Sequence, residues 1–237
     1  MSPLFSCRWT FPGFCDTLSK KTERNRYIRK YKAIIYDIDG TLLNTVDQNM
    51  YTLIRIIKEE LGEDRTFEEV VHFTAYPGLK IIEKLGIRDV EGVYARWVRY
   101  VNEYGKAAEP YDGILELLEG ARELGIQQAI VSSKRRRQYG IDMVTPGYDK
   151  YMETAVLCED TEKHKPDPEP LLVCLERLGV KPEEAIYVGD ANTDMLAARN
   201  AGMAFAYAAW GSYFPVERHE PDCFAQHPLE LLEFLKQ

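Results

Sequence analysis

From residue 110 onward the chain alternates short apolar strands with helical patterns about ten residues long, and this alternation restricts the fold more than any other feature. "DGILELLEGARELG" reads as a helix, "QQAIVSS" and "METAVL" as strands, and "DPEPLLVCLERLG" as a helix. "EEAIYVGD" then reads as a strand, "NTDMLAARNAG" as a helix, "MAFAYAA" as a strand and "PLELLEFL" as a closing helix. Strands and helices in this rhythm imply βαβ units on a parallel sheet. Upstream, "YKAIIYD" (31–37) is an almost unbroken apolar run, as a strand buried on both faces requires. The expected class is therefore α/β, with a doubly wound parallel-sheet (Rossmann-like) core.

Between these parts the periodicity is helical throughout. Met50, Leu53, Ile54, Ile57 and Leu61 recur at three- and four-residue spacing before Gly62. Thr66 with Glu69 has the form of a capping box, and "PGLKIIEKLG" opens with Pro and closes with Gly. Tyr94, Trp97, Val101 and Tyr104 share a helical face, which reads as core because aromatic rings bury so much apolar area. The spacing predicts an α/β core over 32–45 plus 110–237, with a helical insert over 46–109. Residues 1–31 read as a disordered N-terminal extension, irregular and then basic through Lys20, Lys21, Arg24, Arg26, Arg29 and Lys30. A secretory signal would place its charge ahead of an apolar stretch, the reverse of this order.

Composition narrows the partners. No run approaches the ~18 apolar residues of a membrane span. A formal charge of -8 argues against nucleic acid and membrane surfaces as partners. Five widely spaced cysteines without a CxxC pair fit a reducing cytoplasm and speak against a zinc site. The chain is expected to act as a monomer or homodimer on a small molecule.

In an open parallel sheet, ligands bind beyond the carboxyl ends of the strands. There the strand at 31–37 delivers Asp37 and Asp39, the strand at 127–131 delivers Ser132 and Ser133, and that at 185–189 delivers Asp190, with Asp194 four residues on. "KHKPDPEP" sets Lys165 just ahead of a helix. Each piece has an ordinary reading: an acidic Asp-Gly turn, a helix start capped by Asn192 or Thr193, a solvated lysine. Their convergence on one sheet edge favours chemistry. Two close carboxylates repel unless a cation relieves them, and Mg²⁺ suits carboxylate, carbonyl and phosphate oxygens. One ionised carboxylate can then attack phosphorus while the other, protonated, serves a leaving alcohol.

"DIDGT", the serine ending the next core strand, "KPDP" and "GDANTD" resemble, in order, the four motifs of the haloacid dehalogenase-like hydrolases. The resemblance runs from about Tyr31 to the C-terminus, and the helical insert is similar to that family's small cap domain. "PEEAIYVGDANTDMLAARNAGM" looks most like the phosphoglycolate phosphatase and β-phosphoglucomutase branch. The resemblance implies an Mg²⁺-dependent phosphatase of a small phosphorylated metabolite, phosphoglycolate-like, working through an aspartyl-phosphate. It makes Asp37 the nucleophile, Asp39 the general acid and base, and Ser132, the Ser133 amide and Lys165 the holders of the phosphoryl oxygens. Asp37, the Asp39 carbonyl and Asp190 would ligate the metal, with Asp194 behind them.

Within that family a dehalogenase or phosphonate hydrolase lacks the carboxylate at the position of Asp39. Mutases of the branch carry a histidine where Asn49 stands, which favours hydrolysis and leaves a phosphosugar mutase, or a non-catalytic binding protein, as the alternative. Specificity is expected from the Tyr76–Lys80 loop, with Gly78 and Lys80 near substrate. Asn44 stands where an aspartate is common in the family. "KRRRQYGIDMVTPG" reads as short and irregular, its three arginines in a solvated loop. His164 is a surface residue beside Lys165.

Overall fold

A computed structural model describes residues 30–104, 108–212 and 221–237. In chain order its elements are β1 (Ala33–Tyr36), β2 (Leu43–Asn44), α1 (Val46–Leu61), α2 (Phe67–Val70), α3 (Gly78–Lys84), α4 (Val90–Glu103) and β3 (Glu109–Pro110). There follow α5 (Ile114–Glu123), β4 (Gln127–Val131), α6 (Arg136–Tyr139), β5 (Thr154–Val156), α7 (Glu169–Leu178) and β6 (Ala185–Gly189). The chain ends with α8 (Asn192–Asn200), β7 (Ala204–Ala208), β8 (Cys223–Ala225) and α9 (Pro228–Leu235).

Six strands form one parallel sheet in the order β5-β4-β1-β6-β7-β8. The succession turns back at β1, with β4 on one side and β6 on the other, so a crevice is expected beyond its carboxyl end. β1 is wholly buried and its alternate residues feed two layers. Ile34 and Tyr36 pack with Leu117 and Leu118 of α5 and Leu231 of α9. Ala33 and Ile35 pack with Leu171 and Leu175 of α7 and Met195 of α8. Burial on both faces is why the sequence there is apolar without alternation. β8 was not foreseen: only three residues long, it buries Cys223 and Ala225 and exposes Phe224 at the sheet edge. Tyr31, assigned by sequence to the extension, is instead 5% exposed and packs against Phe234, because its ring covers the end of the core. Residues 1–29 of the expected extension lie outside the described residues.

Helices α1 to α4 enclose their own apolar cluster, including Met50, Leu53, Ile57, Ile82 and Trp97. The Thr66–Glu69 capping box is formed in both directions. Tyr94 and Val101 pack against this cluster around buried Trp97, while Tyr104 stacks on Tyr51 at 6.4 Å. β2 and β3 pair antiparallel, Leu43 with Pro110 and Asn44 with Glu109, so the two chain crossings between insert and sheet are zipped together. The stretch after Ser133 is helical and not an irregular loop. α6 runs on into one π-turn over Gly140–Val144, which buries Gln138 and Asp142. Among the described residues no helix is long and apolar enough to cross a membrane.

Candidate active site

The carboxyl ends of β1, β4 and β6 lie side by side, and the chain places Asp37, Ser132 and Asp190 just beyond them. The loop before α7 brings in Lys165, and the first turn of α8 brings in Asp194. All five line one pocket, together with Asp39 and Ser133. Lys165 Nζ lies 2.6 Å from Asp194 Oδ1, 3.1 Å from Asp37 Oδ2 and 3.0 Å from the Tyr187 hydroxyl. The Tyr187 hydroxyl in turn lies 3.0 Å from the Val131 carbonyl and 3.1 Å from Asp194 Oδ1, fixing the lysine head from below the sheet edge. Neither Asn192 nor Thr193 caps α8. The carboxylate of Asp194 accepts the Ala191 amide at 3.1 Å instead, so this side chain serves both helix start and lysine.

Asp37 and Asp39 are separated by their partners. Asp39 Oδ1 accepts from Thr45 Oγ1 at 2.5 Å and lies 2.9 Å from Lys134 Nζ, whereas Asp37 faces Lys165. Lys134 also lies 2.7 Å from buried Asp142, and Gln138 links Asp142 to Asn102 of α4 at 2.9 and 3.1 Å. Burial opposes the charge on each lysine, yet the adjacent carboxylates outweigh it and hold both ammonium pKa values above their ordinary range. Asp37 is pushed the other way, up to about 6, by burial first, with Lys165 opposing and Asp194 and Asp39 adding repulsion. Asp190 is raised well above the carboxylate range by burial, then by Asp194 and Asp37.

Of the expected cap contacts, Gly78 lines the pocket but Lys80 does not. Lys80 is exposed and reaches Glu83 at 2.7 Å on its own helix, because an i,i+3 partner in solvent holds it there. A Cβ on Gly78 would come within 2.5 Å of the Tyr94 ring, so that glycine serves the closeness of α3 to α4. His164 is exposed against Cys158 Sγ and does not line the pocket. Sequence reasoning missed Lys134, although a lysine directly after Ser132–Ser133 at a strand's carboxyl end was a usable signal. It also missed Tyr187, hidden within an apolar strand, and Gly211. A Cβ on Gly211 would stand 1.7 Å from the carbonyl oxygen of Gly40, which itself has φ +71.

The donor set suits a hard cation. Asp37, Asp190 and Asp194 bring one carboxylate oxygen each to within 4.8 Å of one another. Asp37 Oδ1 is buried without a hydrogen-bond partner, and the raised pKa values mark charge that a cation would relieve. Asp194 has both oxygens engaged already, so Asp37 and Asp190 are the freer donors.

A parallel sheet with an acidic, lysine-bearing cluster at its switch point defines an α/β enzyme. Residues 34–208 match the haloacid dehalogenase-like hydrolases, and the chain belongs to that family. It is similar, at 32% identity over 87% of its length and 96% of the relative's, to a protein of Caldanaerobacter subterraneus subsp. tengcongensis provisionally named pyrophosphatase PpaX. It is 27% identical to pyrophosphatase PpaX of Bacillus velezensis, over 86% of this chain and 96% of that one. The crystal structure of a provisionally named phosphoglycolate phosphatase from Lactobacillus plantarum superposes with a TM-score of 0.79 at 27% identity, over 86% of this chain and 99% of that one. A provisionally named β-phosphoglucomutase from Thermotoga maritima gives 0.67 at 25%, over 86% and 98%.

Proposed function

We propose that this hydrolase is an Mg²⁺-dependent phosphatase that cleaves a small phosphorylated metabolite through an aspartyl-phosphate on Asp37. The observation that carries the reading is the pair of carboxylates with separate lysines in one pocket, Asp37 beside Lys165 and Asp39 beside Lys134. Asp37 attacks phosphorus as the ester P–O bond breaks, and Asp39 gives its proton to the departing alcohol oxygen. Water then attacks the same phosphorus, Asp39 takes its proton, and the Asp37–phosphorus bond breaks to release phosphate. Ser132, the Ser133 amide and Lys165 hold the phosphoryl oxygens through both steps. Mg²⁺ held by Asp37, Asp190 and the Asp39 carbonyl would neutralise charge on the transferring group.

The helical insert, residues 46–109, acts in this reading as the cap over the core, 32–45 plus 110–237, and excludes bulk water during transfer. Asn49 lines the pocket, and among the described residues no histidine does, which favours hydrolysis over mutase chemistry. The free thiols Cys158, Cys174 and Cys223 are in keeping with a reducing cytoplasm, where the protein would act as a monomer or homodimer. The test is phosphate release from 2-phosphoglycolate, pyrophosphate, hexose phosphates and nucleotides with Mg²⁺ or chelator. Turnover should need Mg²⁺ and vanish in Asp37→Asn; silence across the panel from folded, Mg²⁺-loaded protein overturns the reading.

A further inference from the structure

We infer, resting on the phosphatase reading above, that the alcohol part of the substrate is uncharged and presents an apolar or aromatic face, and is neither a second phosphate nor a carboxylate. The pocket has two unlike halves. Its core half carries every described charge that lines it: Asp37, Asp39, Asp190 and Asp194, with Lys134 and Lys165. Its insert half is made largely of Phe73, Ile81, Tyr94, Trp97, Val98 and Val101. Among the described residues no lysine or arginine lines the pocket from the insert; its polar groups there include the uncharged Asn49 and Thr74.

Both pocket lysines already have work. Lys165 faces Asp37 and Asp194, and Lys134 faces Asp39 and Asp142, so neither is left over for a second anion. With Asp39 carrying the proton it gives up, the carboxylates of Asp37, Asp190, Asp194 and buried Asp142 against two ammonium groups leave two negative charges, which a divalent cation cancels. The transferring phosphate dianion then restores a deficit, and another anionic group on the leaving part would deepen it inside a buried site. Two cations sit against lining rings, Tyr94 and Tyr76, without lining the pocket themselves. Arg135 pairs with Glu91 and lies 5.3 Å from the Tyr94 ring centroid, and Lys84 lies 4.2 Å from that of Tyr76.

The apolar wall is also held in place. The Trp97 indole donates to the Asn49 carbonyl at 3.2 Å and the Thr52 hydroxyl at 3.0 Å, and Tyr94 meets it edge-on at 6.2 Å. With its only donor occupied, Trp97 offers the pocket carbon surface. A flat or apolar alcohol would bury area there without leaving a polar group unpaired.

The experiment compares kcat/KM, in Mg²⁺, for benzyl phosphate, 4-carbamoylbenzyl phosphate, 4-carboxybenzyl phosphate, 2-phosphoglycolate and pyrophosphate. The carbamoyl and carboxy esters match in shape and leaving oxygen and differ in charge. The expected result is at least tenfold faster turnover of the carbamoyl than the carboxy ester, with benzyl phosphate above 2-phosphoglycolate and pyrophosphate. Val98→Arg, at a partly exposed wall position, should raise the carboxy-to-carbamoyl ratio at least fivefold. Equal or faster turnover of the charged compounds overturns this inference and leaves the phosphatase reading standing. No turnover of any of the five, or of the wider panel, overturns both.

Discussion

Asp37→Asn should abolish turnover and, without metal, make the protein more stable. Burial and its acidic neighbours raise the pKa of Asp37 from 3.8 to about 6. A raised folded-state pKa gives stability that is fully present below the unfolded value and lost as pH rises through the folded one. At pH 7.5 the ionised carboxylate therefore costs the metal-free fold on the order of 3 kcal/mol, at 1.36 kcal/mol per pKa unit. By the same linkage the cost falls to about 1 kcal/mol at pH 4.5, where native Asp37 is mostly protonated. Asparagine removes the charge at nearly constant volume. Urea unfolding in chelator should give Asp37→Asn a gain of about 1–3 kcal/mol at pH 7.5, or roughly 3–10 °C in Tm for a chain of this size. The gain should shrink at pH 4.5. Saturating Mg²⁺ should narrow or reverse it, because the wild type gains binding free energy that the amide supplies less well. A variant less stable than wild type in chelator at pH 7.5 would refute the reasoning, since attraction to Lys165 would then outweigh burial and repulsion.

Three further outcomes follow from the same geometry. Asp190→Asn should lose most of the Mg²⁺-dependent rise in Tm and at least 100-fold in kcat, read by thermal melts and phosphate release, with a metal-responsive variant as the contrary result. Lys165→Met leaves Asp37 and Asp194 without their buried cation. It should cost about 3–5 kcal/mol in urea unfolding as well as turnover. Gly211→Ala, whose Cβ would overlap the Gly40 carbonyl, should lower both Tm and kcat, while Gly140→Ala, with open space around it, should change neither appreciably. Equal behaviour of the two glycine variants would remove the case for that close approach.

What could be read from sequence was what repeats or punctuates. β1, β4 and β6 are apolar runs followed by polar residues, so Asp37, Ser132 and Asp190 could be assigned to one sheet edge, and the segment just ahead of α7 added Lys165. The helices α1 to α4 were legible from helical spacing and from the Thr66 box. β8 was not, since three residues carry too little pattern to separate strand from loop. Lys80 was misplaced because sequence cannot say which way a helix turns its long side chains; Glu83, three residues on, decided it. Tyr187 was hidden because a tyrosine in an apolar run looks like packing, and its hydroxyl finds its partners, Val131, Lys165 and Asp194, on other segments.

The least legible part explains how Asp37 and Asp39 coexist. A cation for the pair was foreseeable, and Lys165 lies in a recognisable segment. The second cation is Lys134, and its role depends on a turn that sequence does not announce. The π-turn after α6 buries Asp142 beneath Lys134, and Gln138, one turn earlier, bonds Asp142. The same Gln138 reaches Asn102 on α4, so Asp39 is tied to α4 through four side chains, Lys134, Asp142, Gln138 and Asn102. Thr45, at the start of α1, holds the same Asp39 oxygen from the other crossing between insert and sheet. Asp37 is thus braced by the core alone, whereas Asp39 is braced by contacts that both lead to the insert. A shift of the insert would act on Asp39 and leave Asp37 in place. That division suits the proposed mechanism, in which Asp37 stays aligned with phosphorus while Asp39 meets a different oxygen in each step.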